Sequence, residues 1–517
     1  MHVIDLALIL SYFVFIIIIT VVVMRQTKTG EDLFLAGRSL GWGVIGFSLF
    51  ASNISSTTLI GLAGAAYEGG IAISNYEWMA GIILVFMSFF VIPVFLNKKI
   101  TTIPEYLDYR YNSFCRKYFS ALTIIMSIVV DAAGGIFAGA LVLQIFFPQV
   151  SLFSTCIAIA IFAGLYTAAG GLKAVVYTDV LQAIILLIGS CAITYYVFAE
   201  YGFSWDNVKS AVPYDHLSLI RPIDDPMLPW LGTLIGVPVL GFWYWATNQY
   251  ITQRILGARS LDQARWGANL AGFLKILPLL IMVLPGAMAF GIYENIENSD
   301  QIFPMLINDY LPIGLKGIVI AGLFAAIMST IDSTLNSAST LIIKDFVEGE
   351  EKDISPEQLR KLGGWTTIIL MGIAALWAPN IIHFEGLFAY LQQAFAVVVP
   401  PIVAIFILGL FWKKASGAAA TITLLTGHAI GLLFFILGQM DIWTLHFTIT
   451  VGLVTGVCFI IMYALSLITP HSDVEELNVV WSPELSKPQT GITLYKDYRI
   501  QAFAVLVATA IMLMIFW

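Results

Sequence analysis

Apolar residues in this chain come in long uninterrupted runs rather than in alternation. A helix needs about 20 such residues to cross the hydrocarbon layer of a bilayer. Fourteen runs qualify, near 3–24, 43–67, 71–97, 118–146, 152–168, 177–198, 228–253, 266–292, 313–343, 363–379, 384–411, 416–437, 444–467 and 500–517. Strands of a membrane barrel would alternate apolar and polar side chains over about 10 residues, and these runs are too long and too uniform for that. The pattern predicts an all-α polytopic membrane protein with about 14 transmembrane helices. The first run carries Asp5, lacks a basic leader and is long enough to span, so it reads as a retained helix rather than a cleaved signal.

Composition agrees. The 517 residues are 59% hydrophobic and 11% charged, with mean hydropathy +0.88, whereas soluble domains carry about 25% charge. A water-soluble globule of this make-up would expose large apolar patches and aggregate. The net charge of −8 leaves no basic surface for a phosphate backbone, so nucleic acid is excluded as a partner and the lipid bilayer is the expected one. Cys115, Cys156, Cys191 and Cys458 are scattered, with neither disulfide nor metal spacing.

Lys and Arg fix the expected orientation, because they stay cytoplasmic in short loops. Counted in order, the odd connections hold 21 of the 25 basic residues. Among them are Arg25, Lys28 and Arg38 in the first, Lys173 in the fifth, Arg254, Arg259 and Arg265 in the seventh, and Lys344, Lys352, Arg360 and Lys361 in the ninth. The even connections hold only Lys209 and Arg221. Odd loops therefore read as cytosolic and both termini as outside, in a multi-pass protein of the cell membrane. The largest polar stretch, roughly 468–499, is too short for an independent soluble domain.

Two spans break the apolar pattern. In the second, Ala51-Ser52-Asn53-Ile54-Ser55-Ser56-Thr57-Thr58 is rich in residues whose side chains offer the backbone competing hydrogen bonds. Unwound backbone at membrane depth survives only where it is buried in protein or lines a cavity, and interrupted helices that coordinate a cation mark secondary transporters. Small polar residues that merely let helices pack closely are the weaker reading of so dense a run. The span 313–343 supplies a partner, Ala326-Ile327-Met328-Ser329-Thr330-Ile331-Asp332-Ser333, in which Ser329, Asp332 and Ser333 share a face. Hydroxyls, carbonyls and one carboxylate suit a monovalent cation, since calcium or magnesium would want more carboxylates. An acid as deep as Asp332 is a functional candidate by default.

These segments resemble the sodium/solute symporter family, and most closely its sodium/sugar cotransporter branch. The resemblance runs from EDLFLAGRSL (31–40) to FILGLFWKK (406–414). It is carried by FASNISSTTLIGLAG (50–64), YEW (76–78), YTAAGGLKAVVYTDVLQ (166–182), NQYITQRILGARS (248–260) and MSTIDSTLNSASTL (328–341). It implies a leucine-transporter-type 5+5 inverted repeat within one transporter domain over 1–517. The first repeat would occupy 43–198 and the second 228–411, with an extra N-terminal helix at 3–24 and extra C-terminal helices over 416–517.

The resemblance also implies sodium-coupled secondary active symport by alternating access, with import of a small neutral sugar or polyol such as a hexose or inositol. A sodium site maps onto the carbonyls of Ala51, Ile54 and Ala326 and the hydroxyls of Ser329 and Thr330. A second sodium site, present in some relatives, would use Asp179 with Asp332 and Ser333. Glu77, Lys275 and Gln392 match residues that bind sugar hydroxyls. Tyr244 matches an aromatic gate, with Trp245 and Phe388 around it, and Thr58 replaces a pocket Gln. Asp131 stands where acid-sugar carriers have Arg, which disfavours an anionic solute. For Lys275 the expected counter-charge is Glu77 or Asp131. Another solute (an amino acid, vitamin or amine) is the main rival, followed by a transporter-like membrane sensor. The six His residues are dispersed with no metal or nucleophile–base spacing, so an enzyme is not expected.

Overall fold

The structure is a computed structural model and describes residues 2–24, 35–146, 148–294, 296–347, 356–384, 386–471, 478–487 and 493–517. Arg25, Lys28 and Lys352 of the charge pattern lie outside them. The described residues are overwhelmingly helical and contain no named strand, only an isolated bridge between Leu40 and Ala258. Among the described residues, ten helices are long and apolar enough to cross a membrane, and the bent pair Trp42–Asn53 and Thr57–Gly69 makes an eleventh candidate. Val3–Met24 fills the first expected run.

Two expectations change in detail. The runs 152–168 and 177–198 lie in one helix, Leu152–Glu200, so the connection carrying Lys173 is helical rather than a loop. Its 49 residues amount to about 74 Å of helix, more than twice the ~30 Å of a single crossing. The run 228–253 is divided into Trp230–Ile235, Val237–Phe242 and Trp243–Thr247, and resumes as Gln249–Leu256 after an extended Asn248.

The divided run and the broken second run follow the same chemistry. Trp42–Asn53 stops because Ile54 (ψ 66°) and Ser55 (ψ 170°) leave helical geometry. Ser55 then caps the next helix by accepting from the Thr58 amide at 3.3 Å, and the Thr58 hydroxyl donates to the Asn53 carbonyl at 2.5 Å. Asn248 likewise caps its helix, accepting from the Tyr250 amide at 3.2 Å. The two axes of the first break differ by 53°. In each case a short polar side chain satisfies donors that the interruption exposes.

Contacts between connections sort by side. Arg38 donates to the carbonyls of Lys99 (2.9 Å), Ile100 (3.2 Å) and Leu256 (3.3 Å). The buried Arg110 binds the carbonyls of Gly409, Trp412 and Ala415 at 2.8–2.9 Å, and Arg265 reaches Leu485 at 3.2 Å. These are odd connections meeting odd ones. Even ones meet each other through Asn75 to the Leu219 carbonyl (2.8 Å) and Asp300 to the Leu387 amide (2.9 Å). Both ends join this second set. The Leu219 amide donates to the Phe516 carbonyl at 3.0 Å, and Asp5 accepts from the amides of Gly314 (2.7 Å) and Gly317 (3.0 Å). The termini thus share one face of the bundle with the even connections.

Asp5 caps Leu315–Ile342 from another helix, with Gly314 turning at φ 88°. Asp5→Ala is expected to cost about 1 kcal/mol, read as a lower unfolding midpoint in detergent. Asp5→Asn, which keeps an acceptor oxygen, should recover most of it.

Candidate functional site

The interrupted helix, the helix Leu315–Ile342 and Asp179 meet at one place. Asp179 is fully buried. Its Oδ2 accepts from Ser48 Oγ at 2.8 Å, Ser52 Oγ at 3.2 Å and Arg254 Nη2 at 2.9 Å, and its Oδ1 accepts from Ser329 Oγ. Arg254, also fully buried, donates through Nη2 to Ser333 Oγ and through Nε to Ser48 Oγ, at 2.9 and 2.8 Å. A buried carboxylate is tolerated when paired and hydrogen-bonded, and this one has a guanidinium and three hydroxyls. Arg254 therefore belongs to the interior rather than to the cytosolic loop that the charge pattern assigned it.

Ala51, Ile54, Ala326, Ser329, Thr330, Asp332 and Ser333 are all buried, and Ser329 and Ser333 bond the Asp179–Arg254 pair. Thr330 donates its hydroxyl proton to the Ala326 carbonyl at 2.9 Å, and Ser329 gives its proton to Asp179. With their protons committed inward, both hydroxyls keep lone pairs for a cation. The helix that stops at Asn53 adds carbonyls with no donor in their own helix. Such a set of neutral, hard oxygen donors fits an alkali ion.

Adjacent to this junction is a cavity of about 90 Å³. Thr58, Glu77, Asp131, Tyr244, Trp245, Phe388 and Gln392 line it, together with Asn53, Tyr76, Tyr250 and Thr330. Lys275 sits immediately behind. It makes close contacts with Glu77 Oε2 and Asn53 Oδ1, and its Nζ lies 5.6 Å from the centre of the Trp245 ring. Glu77 is thus the counter-charge of Lys275, and Asp131 is not. The Tyr250 hydroxyl donates to Tyr244 at 2.6 Å. Asp131 Oδ2 and Gln392 Oε1 are buried with no hydrogen-bond partner among the described residues. Both are acceptors, so the wall calls for a solute that donates.

Local backbone aims these groups. Asp131 lies in the π-turn Ser127–Ala132, and Tyr244 and Trp245 in the π-turn Trp243–Thr247. A π-turn rotates side chains out of the regular register and is common at functional sites. Tyr76 and Phe388 stand edge to face, 5.1 Å apart, between this cavity and an outer one lined by Glu68, Asp300 and His446. Sequence reasoning missed Asn53 as the partner of Lys275, Arg254 as the partner of Asp179, and Tyr76. The available signal was an Arg in a stretch with no other charged residue, NQYITQRIL.

Comparison with known proteins adds the following. The profile of the sodium:solute symporter family matches residues 33–427. A sodium/glucose cotransporter of Vibrio parahaemolyticus is 33% identical over 524 residues, covering 95% of this chain and 93% of that protein. Sodium/glucose cotransporter 4 of Danio rerio is 32% identical over 471 residues, covering 84% and 72%. A sodium/mannose cotransporter of Bos taurus is 32% identical over 535 residues, covering 93% and 89%. The structure of a Na+-coupled sialic acid symporter, in a substrate-bound outward-open state, superposes with TM-score 0.79 at 21% identity, covering 91% and 99%. Mhp1, a nucleobase-cation-symport-1 family transporter, superposes with TM-score 0.58 at 13% identity, covering 88% and 99%. The fold is accordingly the leucine-transporter type.

Lys275→Ala should leave a buried carboxylate unpaired, at a cost of about 3–5 kcal/mol. A neutral pair, Glu77→Gln with Lys275→Met, should restore most of the unfolding midpoint while solute binding stays lost. Midpoints that do not couple in this way would remove the ion pair from the account.

Proposed function

We propose, from the premise that this chain belongs to the sodium:solute symporter family, that it imports a small neutral sugar or polyol, a hexose or inositol, with sodium by alternating access. The observation that carries this reading is that Thr330 lies at the junction of oxygen donors and also on the wall of the cavity. An ion held there and a solute held there would share a side chain.

In this reading sodium is held by the carbonyls of Ala51, Ile54 and Ala326 and the hydroxyls of Ser329 and Thr330. The solute is held by Glu77, Lys275 and Gln392, with Thr58 and Asp131 at its rim. Tyr244, Trp245 and Phe388 offer aromatic faces for the apolar face of a sugar ring. A second ion at Asp179, Asp332 and Ser333 would have to share Asp179 with Arg254. The repeats span 43–198 and 228–411, and the shared face of the termini is extracellular. One sodium moving through 100 mV and a tenfold gradient supplies about 3.7 kcal/mol, roughly a 500-fold accumulation of a neutral solute.

The sugar assignment rests on the polar wall and on what the related carriers are named for. Asp131 argues against anions, because a carboxylate repels a like charge in a low-dielectric pocket. Another small solute remains the alternative to test.

The test is a radiolabelled panel of hexoses, inositol and acid sugars in proteoliposomes under an imposed sodium gradient. Accumulation of a neutral sugar or polyol that ceases when potassium replaces sodium is expected. Uptake of a different solute class alone would overturn the sugar assignment. Ser329→Ala should raise the sodium concentration for half-maximal uptake about tenfold, the equivalent of about 1.4 kcal/mol, with little change in solute affinity at saturating sodium. Asp131→Asn should raise the uptake of an acid sugar relative to its neutral parent, and an unchanged ratio would clear Asp131 of charge selection.

A further inference from the structure

Residues 296–314, in the connection that follows Leu284–Ala289, are packed down over the outer end of the bundle, and the Asp300 carboxylate is one of their ties. Ser299–Gln301 forms a single turn followed by the helix Ile302–Tyr310. The turn lies on the outer half of the interrupted helix so closely that a Cβ on Gly64 would come within 2.8 Å of the Ser299 carbonyl oxygen. Next to Ser299, Asp300 is 3% exposed. Its Oδ2 accepts at 2.9 Å from the amide of Leu387, the first residue of the helix Leu387–Phe411, and Gly386 before it turns at φ 128°. The next residue of that helix is Phe388, which closes against Tyr76, and one turn further on is Gln392 in the solute cavity wall. One acid therefore ties the outer connection to the helix that carries Phe388 and Gln392.

The surroundings make this tie responsive to protons. Asp300 lines the outer cavity, in which Glu68 and His446 are the other ionisable groups apart from Tyr76, and no Lys or Arg lines it among the described residues. The other elements against the turn offer no counter-charge. On Ser56–Gly69, Tyr67 bonds the Tyr293 carbonyl, and on Ile302–Tyr310, Asp309 accepts from the Tyr293 hydroxyl and Tyr310 is neutral. Ala133–Phe146 carries no ionisable group. Burial and the Glu68 charge, opposed by the Leu387 amide, push the Asp300 carboxyl up to about 6, against about 3.9 for a free side chain. The packed-down arrangement thus binds a proton more tightly than an arrangement with Asp300 in water, and by linkage a proton favours the packed-down one.

We infer that Asp300 is an acid-sensitive latch of an outer lid, a positioning residue that acts through Leu387 and Phe388 and holds the lid shut when the external medium is acidified. The inference rests on the even connections facing outward, and its test does not require that the solute be known. In a Cys191→Ser background, Ala65→Cys places a thiol on the wall of the outer cavity. Tyr214→Cys, at an exposed site on the same side, serves as the reference. A membrane-impermeant thiol reagent is applied to right-side-out vesicles. The labelling rate at 65, normalised to that at 214, is expected to fall about fourfold from about pH 7.5 to about pH 5.5. Asp300→Asn, which keeps the acceptor without the charge, should be flat with pH. Glu68→Gln should move the midpoint to lower pH. A pH slope in Asp300→Asn equal to that of the parent would overturn the latch. Should that variant not fold, an unmoved midpoint in Glu68→Gln would overturn it as well. A reference thiol out of reach from outside would refute the sidedness and the latch together.

Discussion

A peptide group in the middle of a bilayer has no water to bond, so every interruption of a helix there must find its partners inside the protein. The break at Ile54–Ser55 is where this constraint is most severe, and the surrounding sequence is organised to meet it. Ser55 and Thr58 take up the groups nearest the break. Ser52 and Ser48, about one and two turns earlier, bind Asp179. Asp179 needs a cation, and Arg254 reaches it from the helix that follows the second break, at Asn248. The two interrupted helices are therefore tied through one buried ion pair, with Ser329 and Ser333 attached to it from Leu315–Ile342.

This arrangement places the proposed ion and the proposed solute within a few side chains of each other. Asn53 takes part in both, since its carbonyl accepts from Thr58 at the break and its side chain accepts from Lys275 beside the cavity. Thr330 closes the same gap from the other side. Coupling between two ligands requires only that each favour the same arrangement of a shared element, and it is then reciprocal. A helix whose two halves are already disconnected is well suited to be that element, because its halves can reorient without breaking further backbone bonds.

Much of the fold was legible because lipid demands long apolar runs and because basic residues mark one face. Asp5 and Phe516 both lie against even connections, at Gly314 and Leu219. The break at 54–55 was legible from the density of Ser, Asn and Thr. The break at Asn248 was not, because a single Asn between aromatic and amide residues leaves the hydropathy trace unchanged. The helical link through Lys173 was hidden for the opposite reason, since small and basic residues signal a loop yet tolerate a helix. Glu77, Lys275, Gln392 and Tyr244 were readable from the resemblance, and only the structure brought Glu77, Gln392 and Tyr244 to one cavity with Lys275 behind Glu77. Arg254 was misplaced because a count of charges treats every Arg as solvated, and only packing reveals one that is buried against a carboxylate.

The central claim is that sodium binds at this junction and is thermodynamically linked to the solute beside it. Equilibrium binding of radioactive sodium to the purified protein, with and without a transported sugar, tests it most directly. The account predicts saturable binding that potassium does not displace and that the sugar tightens. Sodium binding that never saturates, or that saturates with the same affinity whether or not sugar is present, would contradict it.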